Sequence, residues 1–219
     1  MKLKRKVIKI AIDSTAGSGA TSLAIRLAKF YKLRFLDTGK VYRWIALKLF
    51  EKKPKNKIKF VRQNIKKLKL KDLKSKKLVD DKLAQITSKV SSNVSLRKLI
   101  LSYQKEIAYR IPKNYNGSIL NGRDITYNIM PDADFKFFIT ASLNIRAKRR
   151  YKELKKLKRK VFLADIRKSL KIRDLSDKNR TKKQGRLKKT KDSRLINTTH
   201  LSINGGFLKL KKIIDRKMI

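Results

Sequence analysis

Between Val7 and Tyr31 the apolar residues change period once, and that change limits the possible folds more than any other feature of the chain. Val7-Ile8-Lys9-Ile10-Ala11-Ile12 is apolar and β-branched and reads as a strand. It runs into a loop of small residues, Asp13-Ser14-Thr15-Ala16-Gly17-Ser18-Gly19. From Ala20 onward Leu23, Ile25, Leu27, Ala28 and Phe30-Tyr31 fit a helix with one buried stripe. Leu33 to Leu36 reads as a second strand ending at Asp37, and Gly39 to Phe50 as a second helix. Further on, Ser118-Ile119-Leu120, Phe135 to Ile139 and Arg194-Leu195-Ile196 read as strands. Ser142 to Leu157 and Phe162 to Leu175 read as basic helices, and Phe207 to Met218 as a closing amphipathic helix. Residues 51 to 115 hold Lys-rich helical segments with apolar spacing, as at Ile58, Val61, Ile65 and Leu68. Strands alternating with helices imply an α/β fold, a parallel sheet with right-handed crossovers, here interrupted by helix-rich inserts.

A chain of 219 residues with 41% hydrophobic content can bury a sizeable core. It has no Cys and the single His200, which excludes disulfide scaffolds, thiolate zinc sites, cysteine nucleophiles and multi-histidine metal clusters. Any metal must sit on oxygen ligands. No apolar run reaches the roughly 18 residues of a spanning helix. The basic start, Met1 to Lys6, precedes an apolar stretch ending at Ile12, too short for the core of a secretory signal. A cytoplasmic protein without a membrane partner is expected.

The formal charge of +46 raises the possibility of nucleic-acid binding, because Lys and Arg release counterions when they neutralise phosphates. The Lys are spread over every segment, however, as a compositional bias on solvated helix faces would spread them. Nucleic acid is therefore expected to bind only non-specifically, through charge. The densest run, Arg146 to Lys160, and a second basic segment from Lys178 to Lys191 read either as solvated helix and loop or as polyphosphate sites. Anion sites favour converging Arg forks over scattered ammonium groups, so the Arg positions carry more information than the Lys.

A loop that leaves a first strand and feeds a helix N-terminus aims successive backbone N–H groups and the positive end of the helix dipole at one spot. Here that loop is Ser14-Thr15-Ala16-Gly17-Ser18-Gly19-Ala20-Thr21-Ser22. Gly17 and Gly19 allow close backbone approach, and Ser22, or Thr21 beside it, offers a hydroxyl to Mg²⁺. The phosphate-loop pattern is Gly, four residues, Gly-Lys, then Ser or Thr. Ser14 stands where its first Gly belongs and Ala20 where its Lys belongs. Small-residue loops after strands are common in α/β folds, so the loop alone leaves both readings open.

Five short motifs are strung in order between Val7 and the C-terminal helix. They are Ile12-Asp13 with Gly17-Ser18-Gly19; Leu36-Asp37-Thr38-Gly39-Lys40-Val41-Tyr42-Arg43; Asn121-Gly122-Arg123-Asp124 with Pro131-Asp132-Ala133 downstream; Arg146-Ala147-Lys148-Arg149-Arg150; and Arg173-Asp174 with Asp177-Lys178-Asn179-Arg180. In this order and at these spacings, the chain resembles the bacterial cytidylate kinase family of nucleoside monophosphate kinases. The resemblance implies a phosphate-loop NTPase-like three-layer α/β/α fold with a central parallel five-stranded sheet. A core of residues 1–57, 116–150 and 190–219 would carry a helical monophosphate-binding insert at about 58–115 and a basic lid at about 151–189. It further implies transfer of a phosphoryl group from ATP, with Mg²⁺, to CMP or dCMP by a monomer. The loop from Ser14 to Ser22 would hold ATP. Thr38, Tyr42 and Arg43 would line the acceptor nucleotide, with Arg43 and Arg123 forking onto its α-phosphate. Ser88, Arg97 and Asp124 would read the cytosine edge, and Arg173 and Asp177 would hold the ribose. Arg180 would contact the acceptor phosphate, while Arg149 and Arg150 would lie near the ATP phosphates. Arg123, Arg149, Arg150 and Arg180 are thus the expected catalytic groups.

Phosphoryl transfer demands alignment and charge neutralisation more than covalent chemistry. Ala20 removes the cation that meets the β- and γ-phosphates, a loss worth roughly 10² to 10³ in rate by analogy with deleting one preorganised donor. Three explanations stay open: a weak enzyme, rescue by Lys40 from outside the loop, or nucleotide binding without catalysis. A binder using the basic surface, and a kinase for another monophosphate, are the alternatives. Asn121 stands where the family usually has an acid, which bears on the ordering of Mg²⁺ or water. Trp44 and Phe135 to Phe138 are expected in the core, and His200 is expected to be structural.

Overall fold

The computed structural model describes residues 7–79 and 82–218, so Met1 to Lys6 lie outside the described residues. Five strands, β1 (Ile8–Ser14), β2 (Leu33–Asp37), β3 (Gly117–Gly122), β4 (Phe135–Thr140) and β5 (Arg194–Asn197), form one sheet. Its order is β2-β3-β1-β4-β5 and every pairing is parallel. β1 and β3 lie inside and read as nearly continuous buried runs, as strands covered on both faces do. Alternation still assigns their side chains to two faces. Ala11, Leu36 and Leu120 turn toward α2 (Thr38–Lys52), α3 (Lys57–Ile65) and α5 (Val94–Tyr109). Ile10, Ile12, Ile119 and Phe137 turn toward α1 (Ala20–Phe30) and α8 (Ile203–Met218). The result is the expected three-layer α/β/α arrangement.

Between α3 and α5 lie two short 3₁₀ turns and α4 (Lys82–Ser92). Between β4 and β5, α6 (Leu143–Lys156) and α7 (Leu163–Asn179) pair through a small cluster of their own, Ala147, Leu154, Ile166 and Leu170. Gly117 is required by backbone approach, since a Cβ there would stand 1.8 Å from the Ile8 carbonyl oxygen.

Helix ends differ from the sequence reading for local reasons. α2 starts at Thr38 because the Asp37 carboxylate accepts the Lys40 N–H at 3.3 Å, an N-cap. α7 continues past Leu175 to Asn179, which puts Arg173 and Asp177 one turn apart on the same helix. α8 begins four residues before Phe207, and a Cβ on Gly206 would stand 3.0 Å from the Leu23 side chain. Among the described residues no helix is long and apolar enough to cross a membrane.

Candidate active site

The loop after β1 sits at the carboxyl end of the sheet, where open α/β sheets place their ligands. Gly17 and Gly19 adopt left-handed φ values of 77° and 86°, conformations that side chains disfavour. Gly19 caps α1 without any side-chain hydrogen bond. Among the described residues the N–H groups of Gly17, Gly19, Ala20, Thr21 and Ser22 meet no acceptor in the chain. The Ser18 hydroxyl is buried without a partner. A helix N-terminus with orphaned donors is suited to a polyphosphate, and the residues present therefore fit the phosphates of ATP.

The two departures of this loop are built into one hydrogen-bond chain. Ser14 Oγ donates to Asn121 Oδ1 at 3.0 Å, and Asn121 Nδ2 donates to Thr21 Oγ1 at 2.9 Å. Thr21 Oγ1 in turn donates to Asp37 Oδ2 at 3.4 Å. An amide is needed at 121 because one group must both accept and donate. Among the described residues no three acids or histidines cluster as a metal cage. Mg²⁺ needs only one or two protein oxygens beside substrate phosphates and water, so Thr21 and Asp37 fit it. Ser22 is exposed on the outer side of α1.

Asp13, wholly buried near the end of β1, orders the turn that follows Asp124. Its carboxylate accepts from the Ile125 N–H at 2.7 Å, the Thr126 N–H at 3.2 Å and the Thr126 hydroxyl at 2.5 Å. These bonds hold a wide π-helical turn, Ile125–Ile129, directly after Arg123-Asp124. Burial pushes the Asp13 carboxyl up to about 7, against those three donors.

Three arginines converge on Asp177. Arg123 Nε donates to its Oδ2 at 2.6 Å, Arg180 Nη1 stands 3.3 Å from Oδ1, and Arg173 Nε stands 3.8 Å from Oδ2. Burial works to raise the Asp177 carboxyl, yet Arg123, Arg173 and Arg180 together hold it below the ordinary value. Burial lowers the Arg180 guanidinium, with Arg97 and Arg123 adding to the effect and Asp177 opposing it. One carboxylate thus shares three guanidinium groups, and the Arg180 Nε is buried with no acceptor. Such a cluster is electrostatically incomplete without an anion.

Beside it Arg97 Nη2 donates to Asp124 Oδ2 at 2.6 Å and Nη1 to the Ser91 carbonyl at 3.0 Å. The pair is buried, with Arg97 7% and Asp124 4% exposed. Asn128 Nδ2 also donates to Asp124 Oδ2, at 2.8 Å. Tyr42 lies under Arg97, its ring centroid 5.4 Å from the guanidinium carbon, and burial pushes its phenol above the ordinary value. Arg43 reaches the Leu78 carbonyl at 2.9 Å, and the Thr38 hydroxyl is buried on the Asn121 carbonyl at 3.0 Å. Ser88 is exposed on α4 and offers its carbonyl to Ser91 and Ser92. The serine that meets the arginines is Ser91, whose hydroxyl accepts from Arg180 Nη2 at 3.1 Å.

The basic run on α6 divides into separate tasks. Arg149 donates to the carbonyls of Ser18, Thr198 and Leu201 and to the Thr198 hydroxyl, tying the loop to the segment after β5. Arg150 pairs with Glu153 at 2.9 Å. Arg146, absent from the expected site, is buried and forks onto Asp174 at 3.1 and 2.6 Å while reaching the Ala16 carbonyl at 3.1 Å. It therefore joins α7 to the phosphate loop. Asp13 and Asp37 lie beside this site too, at the carboxyl ends of β1 and β2, the position in the sheet that would have singled them out.

Comparison with known proteins agrees with this geometry. A family model described as cytidylate kinase matches residues 10–215. The cytidylate kinase of Bartonella quintana (strain Toulouse) is 37% identical over 211 residues, covering 96% of this chain and 95% of that protein. Cytidylate kinases of Bartonella henselae and Brucella ovis are 36% and 34% identical, with 96% and 95% of this chain and 95% and 93% of theirs covered. Among solved structures, an uncharacterized protein from Eubacterium ventriosum superposes with a TM-score of 0.55 at 16% identity, over 96% of this chain and 99% of that one, a likeness of fold. With its loop, its arginine cluster and these relatives taken together, the chain belongs to the cytidylate kinase family.

Proposed function

We propose that this chain transfers the γ-phosphoryl group of ATP to CMP or dCMP, giving ADP and CDP or dCDP, as a cytoplasmic monomer. The observation that carries the reading is the convergence of Arg123, Arg173 and Arg180 on the single carboxylate of Asp177, beside the buried Arg97–Asp124 pair. Three guanidinium forks around one acid match a nucleotide phosphate, and planar forks bind phosphate oxygens in pairs. Asp124 accepts hydrogen bonds and suits the exocyclic amine of cytosine.

In the reaction an oxygen of the CMP phosphate attacks the γ-phosphorus, and the bond to the β-phosphate oxygen breaks. No protein nucleophile takes part. The N–H groups of Gly17, Gly19, Ala20, Thr21 and Ser22 would cradle the ATP phosphates. Arg43, Arg123 and Arg180 would hold the acceptor phosphate in line, and Arg173 and Asp177 the ribose. Mg²⁺, when bound, neutralises charge on the ATP phosphates; Thr21 and Asp37, or Ser22, would hold it. Residues 58–115 are assigned as the monophosphate-binding insert and 151–189 as the lid that excludes water. Arg149 is assigned to shaping the loop through Ser18, and Arg150 to the lid side.

Ala20 favours a second reading, nucleotide binding with impaired catalysis. Coupled ADP release with ATP, Mg²⁺ and each of CMP, dCMP, UMP and AMP separates the two. CMP- or dCMP-dependent turnover supports the kinase; tight CMP binding without turnover supports the binder.

A further inference from the structure

The Arg97 guanidinium is held from every side. In its own plane it donates to Asp124 and to the Ser91 carbonyl, and the Tyr42 ring lies against it. Backbone covers what remains. A Cβ on Gly185 would stand 2.1 Å from Arg97 Nη2 and 2.5 Å from Cζ, and Gly185 has a left-handed φ of 73°. The end of a free arginine could step aside from such a contact. This one can do so only by giving up Asp124.

Gly185 belongs to a short loop after α7 that is anchored at both ends. Inside it, Gly185 N–H donates to the Lys182 carbonyl at 3.1 Å and Arg186 N–H to the Thr181 carbonyl at 3.2 Å. The Leu187 N–H donates to the Asp177 carbonyl at 2.8 Å, at the arginine cluster. The Tyr127 hydroxyl, on the π-helical turn, donates to the Arg186 carbonyl at 2.5 Å, and the Lys188 ammonium lies 4.9 Å from the Tyr127 ring centroid. The loop's backbone therefore touches Asp177 at Leu187 and Arg97 at Gly185, and through Arg97 it reaches Asp124.

We propose that residues 181–188 form a strap that determines acceptor-base specificity, with Gly185 fixing the plane in which Arg97 and Asp124 meet a pyrimidine bearing an exocyclic amine. This rests on the reading of Arg97 and Asp124 as the base-reading groups of the proposed kinase. A carboxylate held in place by a locked guanidinium accepts from an amine and repels a carbonyl oxygen at the same spot. Once the guanidinium swings, that distinction is lost, because a site built to hydrogen-bond one group discriminates only while its polar groups stay in register.

Calorimetric titration of CMP, UMP and ATP into wild type, Gly185→Ala and Tyr127→Phe tests the strap. Tryptic cleavage after Lys182, Lys183 and Arg186 reports its release directly. Both variants should be cut faster within the strap, bind CMP about tenfold or more weakly and lose most of the CMP-over-UMP preference, with ATP affinity within about two-fold of wild type. Should Gly185→Ala fail to fold, Tyr127→Phe decides, since it removes one oxygen. Faster cleavage with an unchanged CMP-to-UMP ratio overturns the strap as a specificity device, and so does unchanged cleavage in Tyr127→Phe. Wild-type protein that binds neither monophosphate is a different result: it removes the acceptor-site reading, and the strap's role with it.

Discussion

The Ser14 hydroxyl donates to Oδ1 of Asn121 across 3.0 Å, so the residue that replaces the first glycine of the phosphate loop is satisfied by the residue that replaces an acid on β3. The two departures are one arrangement. Replacing Asn121 by Leu leaves the buried Ser14 hydroxyl and the Thr21 hydroxyl short of a partner, at a cost of about 1–3 kcal/mol. Urea unfolding of N121L against wild type measures it. The double variant S14G/N121L should recover part of that loss, because it removes one of the stranded groups.

Ala20 leaves the loop with backbone donors and no cation of its own. Ala20→Lys should raise kcat for CMP phosphorylation, by up to about 10²-fold if the ammonium reaches the β- and γ-phosphates. Lys40 is half-buried in the first turn of α2, and its ammonium makes no hydrogen bond or ion pair among the described residues. Lys40→Ala should therefore hold the rate within about two-fold, the small effect of removing a charge that pairs with nothing. A steep loss in Lys40→Ala would instead assign it the missing charge.

Arg123 is the fork nearest Asp177 and continues directly from β3. Arg123→Lys keeps the charge and loses the planar pair of donors. The KM for CMP should rise about 10- to 100-fold while the KM for ATP stays close to wild type, as steady-state kinetics with each substrate varied will show.

Asp13 gives the chain a pH dependence of definite sign. Its folded carboxyl titrates at about 7, raised by burial. An unfolded Asp titrates near about 3.9, so between those values the folded chain holds a proton that the unfolded chain has released. The contribution is fully present below the unfolded value and is lost as pH rises toward the folded one. Wild-type Tm should therefore decline from about pH 5 to 7, and Asp13→Asn, which cannot titrate, should flatten that decline.

Arg146 and Asp174 form a fork that also reaches the Ala16 carbonyl. Arg146→Met should destabilise the chain by about 3 kcal/mol, because removal of one partner strands the other groups of a largely buried pair. Since α6 and α7 otherwise meet over a small apolar cluster, amide exchange in α7 should quicken more than exchange in β1 and β3.

Much of the fold was legible because it is written in local periods. The β-branched run at Val7 to Ile12, the glycine loop and the helical stripe after Ala20 each involve neighbours in sequence, and the alternation of Ile10, Ala11 and Ile12 already separates the two faces of the sheet. Helix ends were less legible. Asp37 moved the start of α2, and α7 ran on to Asn179, carrying the buried Asp177 to the arginine cluster. Among the arginines, Arg43, Arg97, Arg123, Arg173 and Arg180 could be picked out by resemblance.

What the sequence by itself determined, then, is a parallel α/β sheet with a phosphate-loop start and a set of arginines in family order, since period, glycine placement and motif spacing are properties of nearby residues. Only the tertiary structure decided which groups meet. It joined Ser14 to Asn121 across 107 positions, put Ser91 instead of Ser88 against the arginines, gave Asp13 to the turn after Asp124, and laid Gly185 on Arg97. Those pairings come from strand register and helix docking, which depend on the whole buried core and leave no trace in any short stretch of chain.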